Sequence, residues 1–267
     1  MKLYLRYAML AAAVLLFGFD GAFKVGAEGA PAERSSNPER GPEKQGEEIR
    51  AAAALAKLGV PLQRDPRGTV RWIEATDGEL SDEAMQHMPA LPQLEWLEVG
   101  GGSVTASGMR HLKTCAALKR LYVHDIGLSG ESLEWLSGLP NLRALSLQRT
   151  GVDGSVLDHV KAAATLAVLN LSGNPITDAD MERVARFKAL EVLALADTKI
   201  TGAGMAKLEG MARLNELNIM RCNILDSDLE CFMSMPNLRI VYAEGCGLGE
   251  MGIMQIIYRF PTLAIFR

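Results

Sequence analysis

The chain has 267 residues, 48% of them hydrophobic and 22% charged, and 28 Lys plus Arg against 32 Asp plus Glu leave a formal net charge of −4. That composition can fill the core of one or two domains. It lacks the excess positive charge with which a general nucleic-acid binder displaces counterions from phosphates, so that class is set aside.

At the N-terminus, Lys2 and Arg6 precede a 12-residue apolar run, AMLAAAVLLFGF at 8–19. A spanning helix needs about 20 apolar residues, so no membrane span is expected here. A basic start, a short apolar run and the small residues Val25-Gly26-Ala27 describe a secretory signal peptide cut after Ala27. An uncleaved interfacial anchor is the alternative. The product is then periplasmic or extracellular. No Cys precedes Cys115, which excludes a lipoprotein. Residues 28–46 carry Pro, Gly, Ser and charge with little to bury, and read as a disordered linker. Residues 47–69 read as an N-terminal cap: a helix over 47–58, then a hairpin turning at Asp65-Pro66-Arg67-Gly68 and running on through 69–75.

From residue 70 to 267 one pattern recurs. Its central apolar position falls at Ile73, Leu97, Leu121, Leu145, Leu169, Leu193, Leu217 and Val241, a constant step of 24. Companion columns precede and follow it, such as Val70, Leu94 and Leu118, or Leu80, Val104 and Leu128. The LxL part alternates as a strand does. Met181, Val184 and Phe187 are spaced as a helix face. Each unit is therefore a strand, a turn and a short helix. One unit cannot offset the entropy of ordering its backbone, at ~1–2 kcal/mol per residue, so eight full repeats and a partial ninth must stack. At the end of the array the spacing slips: Leu263 falls 25 after Leu238, and residues 263–266 read as a last strand tucked under Tyr258 and Phe260.

The segments LAVLNLSGNPITDADM (166–181) and LEVLALADTKITGAGM (190–205) resemble leucine-rich repeats of the ribonuclease-inhibitor-like class, over about 70–267. The resemblance implies an α/β fold, a leucine-rich-repeat solenoid: a curved right-handed horseshoe with a parallel sheet on its concave side and short helices on its convex side. It is similar in style to secreted bacterial leucine-rich-repeat proteins. F-box ubiquitin-ligase receptors carry similar repeats, but the export signal and the missing F-box segment disfavour that setting. At a ladder position of each turn, Thr150, Asn174, Thr198, Cys222 and Cys246 read as side chains that bond turn backbone along the stack.

No catalytic residue, metal site or cofactor is expected. His87, His111 and His159 share a column on the helical side with Trp135, and read as a polar helix position. Gly247, Gly249 and Gly252 spell GxGxxG, but nothing that a dinucleotide fold requires follows them. Asp178 and Asp180 read as acids that suit a helix N-terminus. An enzyme or metal protein on the same scaffold would need a convergent polar pocket, and none is spelled.

The face of the sheet turned away from the core is the expected binding surface. Aromatic and charged side chains collect in its first repeats: Trp72, Glu74, Trp96, Glu98, Arg120, Tyr122, His124 and Gln148, with Tyr242 near the far end. Trp, Tyr and Arg most often dominate binding energy. The expected function is a non-enzymatic exported scaffold for a protein or peptide of unknown identity. A self-associating surface protein, joined through its C-terminal strand, is the alternative.

Overall fold

Alternating apolar residues with β-branched and Leu side chains make each LxL segment a strand, and the stacked strands form one sheet. A computed structural model describes residues 42–266, so the expected signal peptide and most of the expected linker lie outside the described residues. Among the described residues the sheet has ten strands in sequence order. They are β1 (Leu62–Arg64), β2 (Val70–Ala75), β3 (Trp96–Gly100), β4 (Arg120–His124), β5 (Ala144–Gln148), β6 (Val168–Asn170), β7 (Val192–Ala194), β8 (Glu216–Asn218), β9 (Ile240–Tyr242) and β10 (Ala264–Phe266). Only β1 and β2 are antiparallel; every later neighbour is parallel.

The register aligns the apolar columns. Leu97 stands beside Leu121, Leu121 beside Leu145, and Leu145 beside Leu169. The same pairing continues through Leu193 and Leu217 to Val241. These side chains are 0% exposed, as are Leu94, Leu118, Leu142, Leu166, Leu190 and Leu214 beside them. The interior is one continuous apolar column capped by neighbours at each level.

The returning segments are short helices of mixed type. α-Helical turns are α2 (Asp82–Met85), α3 (Ala106–Met109), α4 (Met181–Val184) and α5 (Gly202–Ala206). In three repeats the return is a 3-10 helix alone: Glu134–Gly138, Gly154–His159 and Asp226–Ser234. Asp178 does not merely face its own helix dipole. Its carboxylate accepts from the backbone N–H (2.8 Å) and hydroxyl (2.7 Å) of Thr201 in the next repeat. Asp82 holds Thr105 in the same way, at 2.8 and 2.7 Å. Asp180 closes a capping box with Thr177.

Two further columns stitch the turns. Asn174, 3% exposed, accepts from the N–H groups of Thr150 (3.1 Å) and Gly151 (2.8 Å) and donates to the carbonyls of Leu147 (2.6 Å) and Leu171 (2.9 Å). The Thr198 hydroxyl donates to Leu195 O at 2.6 Å, and the Cys222 and Cys246 thiols donate to Leu195 O and Ile219 O, each at 3.0 Å. All four cysteines are free.

Beside this ladder runs a column in the left-handed backbone region. From the second repeat on it reads Gly101, Asp125, Arg149, Gly173, Asp197, Arg221, Gly245. Four of these are not glycine, with φ between 52° and 59°, at a cost of about 1 kcal/mol or more each. Ion pairs accompany the strain. The Arg149 guanidinium grips Asp125 through two bonds, 2.6 and 2.7 Å, and Arg221 grips Asp197 in the same bidentate way.

At the N-terminal end, α1 (Pro42–Lys57) buries Ala51, Ala52 and Leu55 over the first repeat. Buried Glu48 accepts from the N–H of Val70 at 3.1 Å. This helix includes residues 42–46, so the expected linker does not reach residue 46. Its first turns are polar and exposed, which is why they read as spacer. At the other end, α6 (Glu250–Arg259) packs through Ile256, and Leu263 is buried behind it. The expected slip is absent from the strand itself: Ile265 pairs with Val241, preserving the 24-residue step. Nor does Tyr258 cover β10, since it is 89% exposed. Its position on α6 faces away from the column.

Candidate functional site

Because strand side chains alternate, the residues between the core columns lie on the open face of the sheet. Register brings most of the expected residues together. Trp72 lies beside Trp96, and Trp96 beside Arg120. Glu74, Glu98 and Tyr122 form the next row, and His124 lies beside Gln148. Tyr242, on β9, is separate from this group.

Trp96 is the centre of the cluster. Its ring meets the edge of Tyr122, centroids 6.0 Å apart at 79°, and the Arg120 guanidinium lies 5.5 Å over it. The Trp96 indole N–H is buried with no hydrogen-bond partner among the described residues. Burial pushes the Tyr122 hydroxyl up to about 12, so it is a neutral donor at all ordinary pH. The His124 ring sits between two carboxylates, 3.7 Å from Glu98 and 3.2 Å from Asp125. It can lie there because residue 100 is Gly: a Cβ at that position would fall 1.8 Å from the ring. Asp125 then passes the contact to Arg149, and this guanidinium holds the Asp125 carboxyl down to about 2. The row from Glu98 through His124 and Asp125 to Arg149 thus ties the open face to the strained column. Glu74 is exposed, while Trp72 and Gln148 are half-buried.

The middle of the face is small and apolar: Ala144, Val168, Val192 and Ala194 are buried. Beyond it lies Glu216 on β8, which is not among the residues expected for the binding surface. It is 3% exposed, its Oε1 has no hydrogen-bond partner among the described residues, and burial raises its carboxyl pKa. A charged residue at a strand position flanked by small apolar neighbours was the available signal.

The other candidates stay apart. His87, His111 and His159 are half-buried on the helical side, but Trp135 in that column is 3% exposed and belongs to the core, which corrects its reading as a polar position. Among the described residues no three His, Cys, Asp or Glu side chains converge on a metal position. Gly249 caps α6 and donates its N–H to Asp226 at 2.8 Å. A cavity of about 540 Å³ between the 226–234 helix and α6 opens on that side too, lined by Asp226, Glu230, Met251, Tyr258 and Arg259. Among the described residues no helix is long and apolar enough to cross a membrane.

Residues 162–185 match a family model described as leucine rich repeat. No curated protein matches the sequence significantly. Among solved structures, an internalin from Listeria monocytogenes superposes with a TM-score of 0.50 at 15% identity, covering 72% of this chain and 58% of that one. The chain therefore spans little more than half the length of that protein. An internalin C2 from the same organism gives 0.52 at 18% identity, over 80% and 90%. A leucine-rich-repeat protein from Leptospira interrogans gives 0.50 at 20%, over 68% and 45%. The fold is an α/β leucine-rich-repeat solenoid.

Proposed function

We propose, from a leucine-rich-repeat solenoid whose open sheet face carries Trp72, Trp96 and Tyr122 together at its N-terminal end, that this protein is a non-enzymatic scaffold binding a protein or peptide there. The observation that carries the reading is the Trp96 cluster. It combines a large ring, an edge-on Tyr122 and a stacked Arg120 with an indole N–H that lacks an acceptor. A partner carbonyl would satisfy that donor, and half-buried aromatics give contact area at low entropic cost. Trp72, Glu74, Glu98, His124 and Gln148 would form the rim, with Tyr242 a separate contact. We further propose export, with residues 1–27 removed; the mass of the mature protein tests this.

The binding test is partner recovery by pull-down from intact cells after crosslinking. Trp96→Ala and Tyr122→Ala should each lower recovery about tenfold or more, as truncations at aromatic anchors do. Unchanged recovery from both removes this patch.

A second reading, self-association, is favoured by the last strand. Among the described residues β10 has a neighbour on one side alone, and Phe266 (53%), Met251 (70%) and Met254 (67%) are exposed at that end. A concentration-independent monomer in sedimentation would end it.

A further inference from the structure

We propose that the far half of the open face holds a subsite for the guanidinium of a partner's arginine, with Glu216 supplying the carboxylate and Tyr242 the stacking surface. The proposal rests on the reading of this face as a protein-binding surface, and extends it to a region without the aromatic cluster.

A carboxylate taken out of water is costly unless a cation or several donors meet it. Glu216 is 3% exposed and its Oε1 has no partner among the described residues. Its strand neighbours Val192 and Ile240 and the nearby Ala194 are apolar. The arginines of adjoining repeats are engaged elsewhere. Arg221 is held by Asp197, Arg213 by Glu191, and Arg239 donates to the carbonyls of Pro236 and Leu238. The fold thus retains a buried acid that it does not pair, and a partner from outside would complete it. A metal ion is a poor candidate, since no group of three His, Cys, Asp or Glu side chains converges there among the described residues.

The geometry favours arginine over lysine. Tyr242 pairs with Asn218, two residues along β8 from Glu216 and on the same face of the sheet; burial, and then the Glu216 charge, raise its hydroxyl pKa. Its ring is already stacked on Phe266, centroids 5.3 Å apart at 23°. A flat guanidinium can lie on that ring while its edge donates to the carboxylate; an ammonium can do only the second.

The test uses the full chain and a blocked tripeptide, acetyl-Gly-Arg-Gly-amide, with its neutral citrulline counterpart as control. Binding is followed by NMR titration of the backbone amides of β8 and β9. The arginine peptide should bind at least tenfold more tightly than the citrulline peptide. Glu216→Gln should abolish the difference while raising the melting temperature of the free protein, because the unpaired charge is gone. Glu216→Asp keeps the charge but draws it back by one methylene, and should weaken binding without that gain. Equal affinity for both peptides, or a Glu216→Gln protein that still prefers arginine, overturns the proposal. Loss of partner recovery in Trp96→Ala is independent of either result, so the subsite can fail while the aromatic patch stands, and the reverse.

Discussion

Replacing Asn174 by Ala tests how the turns are held together. The side chain makes four well-formed bonds, two to N–H groups and two to carbonyls, and three of them reach the preceding repeat. Each buried hydrogen bond contributes about 1 kcal/mol net, and each orphaned donor costs about 1–3 kcal/mol. Because Asn174 is 3% exposed, water cannot replace it without opening the turn, so a loss of about 3–5 kcal/mol is expected. Stability of a repeat array is a sum of unit and interface terms, so the loss falls on one interface. Urea unfolding followed by circular dichroism should show a lower midpoint and a shallower, divided transition. Hydrogen exchange at Gly151 should accelerate by orders of magnitude while that at Leu97 changes little. Asn174→Thr should fall between, because the Thr198 hydroxyl at the equivalent position donates to Leu195 O of its own turn and meets the next repeat at the Cys222 sulfur, 3.5 Å away, where Asn174 makes three bonds to its neighbouring repeat. A loss under about 1 kcal/mol with one unchanged transition would refute the reasoning.

The Asp125 carboxyl lies well below its ordinary value because Arg149 bonds it, so its stabilisation is full above about pH 4 and is lost as pH falls through about 2. Both partners are exposed to solvent, which limits the contribution to ~0.5–1 kcal/mol; Arg149→Ala should remove that part of the acid sensitivity in urea midpoints compared at pH 6 and pH 2.5. Gly138→Ala should destabilise by about 2–4 kcal/mol in the same assay, because a Cβ there would lie 1.9 Å from the Lys113 carbonyl oxygen of the previous repeat. The four thiols should react slowly with Ellman's reagent in the native protein and rapidly in denaturant, since burial raises the pKa of each, to about 12 for Cys115 and Cys231.

Positions decided by apolar periodicity were legible before any coordinates. Leu121, Leu145 and Leu169 line up because an apolar position repeated at a constant step of 24 is buried only when unit stacks on unit. What depended on polar partners across repeats was not legible. Asp178 looked like a helix-opening acid, yet its bonds go to Thr201, a residue that only stacking brings near. The type of each return helix was hidden too, because four or five residues fit both a 3-10 and an α turn. At the candidate site, alternation identified the face and its aromatic residues. It could not reveal that Trp96 and Glu216 keep unpartnered polar atoms, since that follows from what the neighbouring strands fail to supply.

The left-handed column has a consequence for how such a chain can grow. Its order, Gly, Asp, Arg, Gly, Asp, Arg, Gly from residue 101 to 245, returns to itself after three repeats rather than one. Excising the single unit that carries Arg149 would set Asp125 against Gly173 and leave the acid without its clasp. Excising or duplicating three units at a time would leave every clasp intact. A block of three units at the constant step of 24 is thus one length by which the array can change wherever it is cut, with each remaining acid still beside a base.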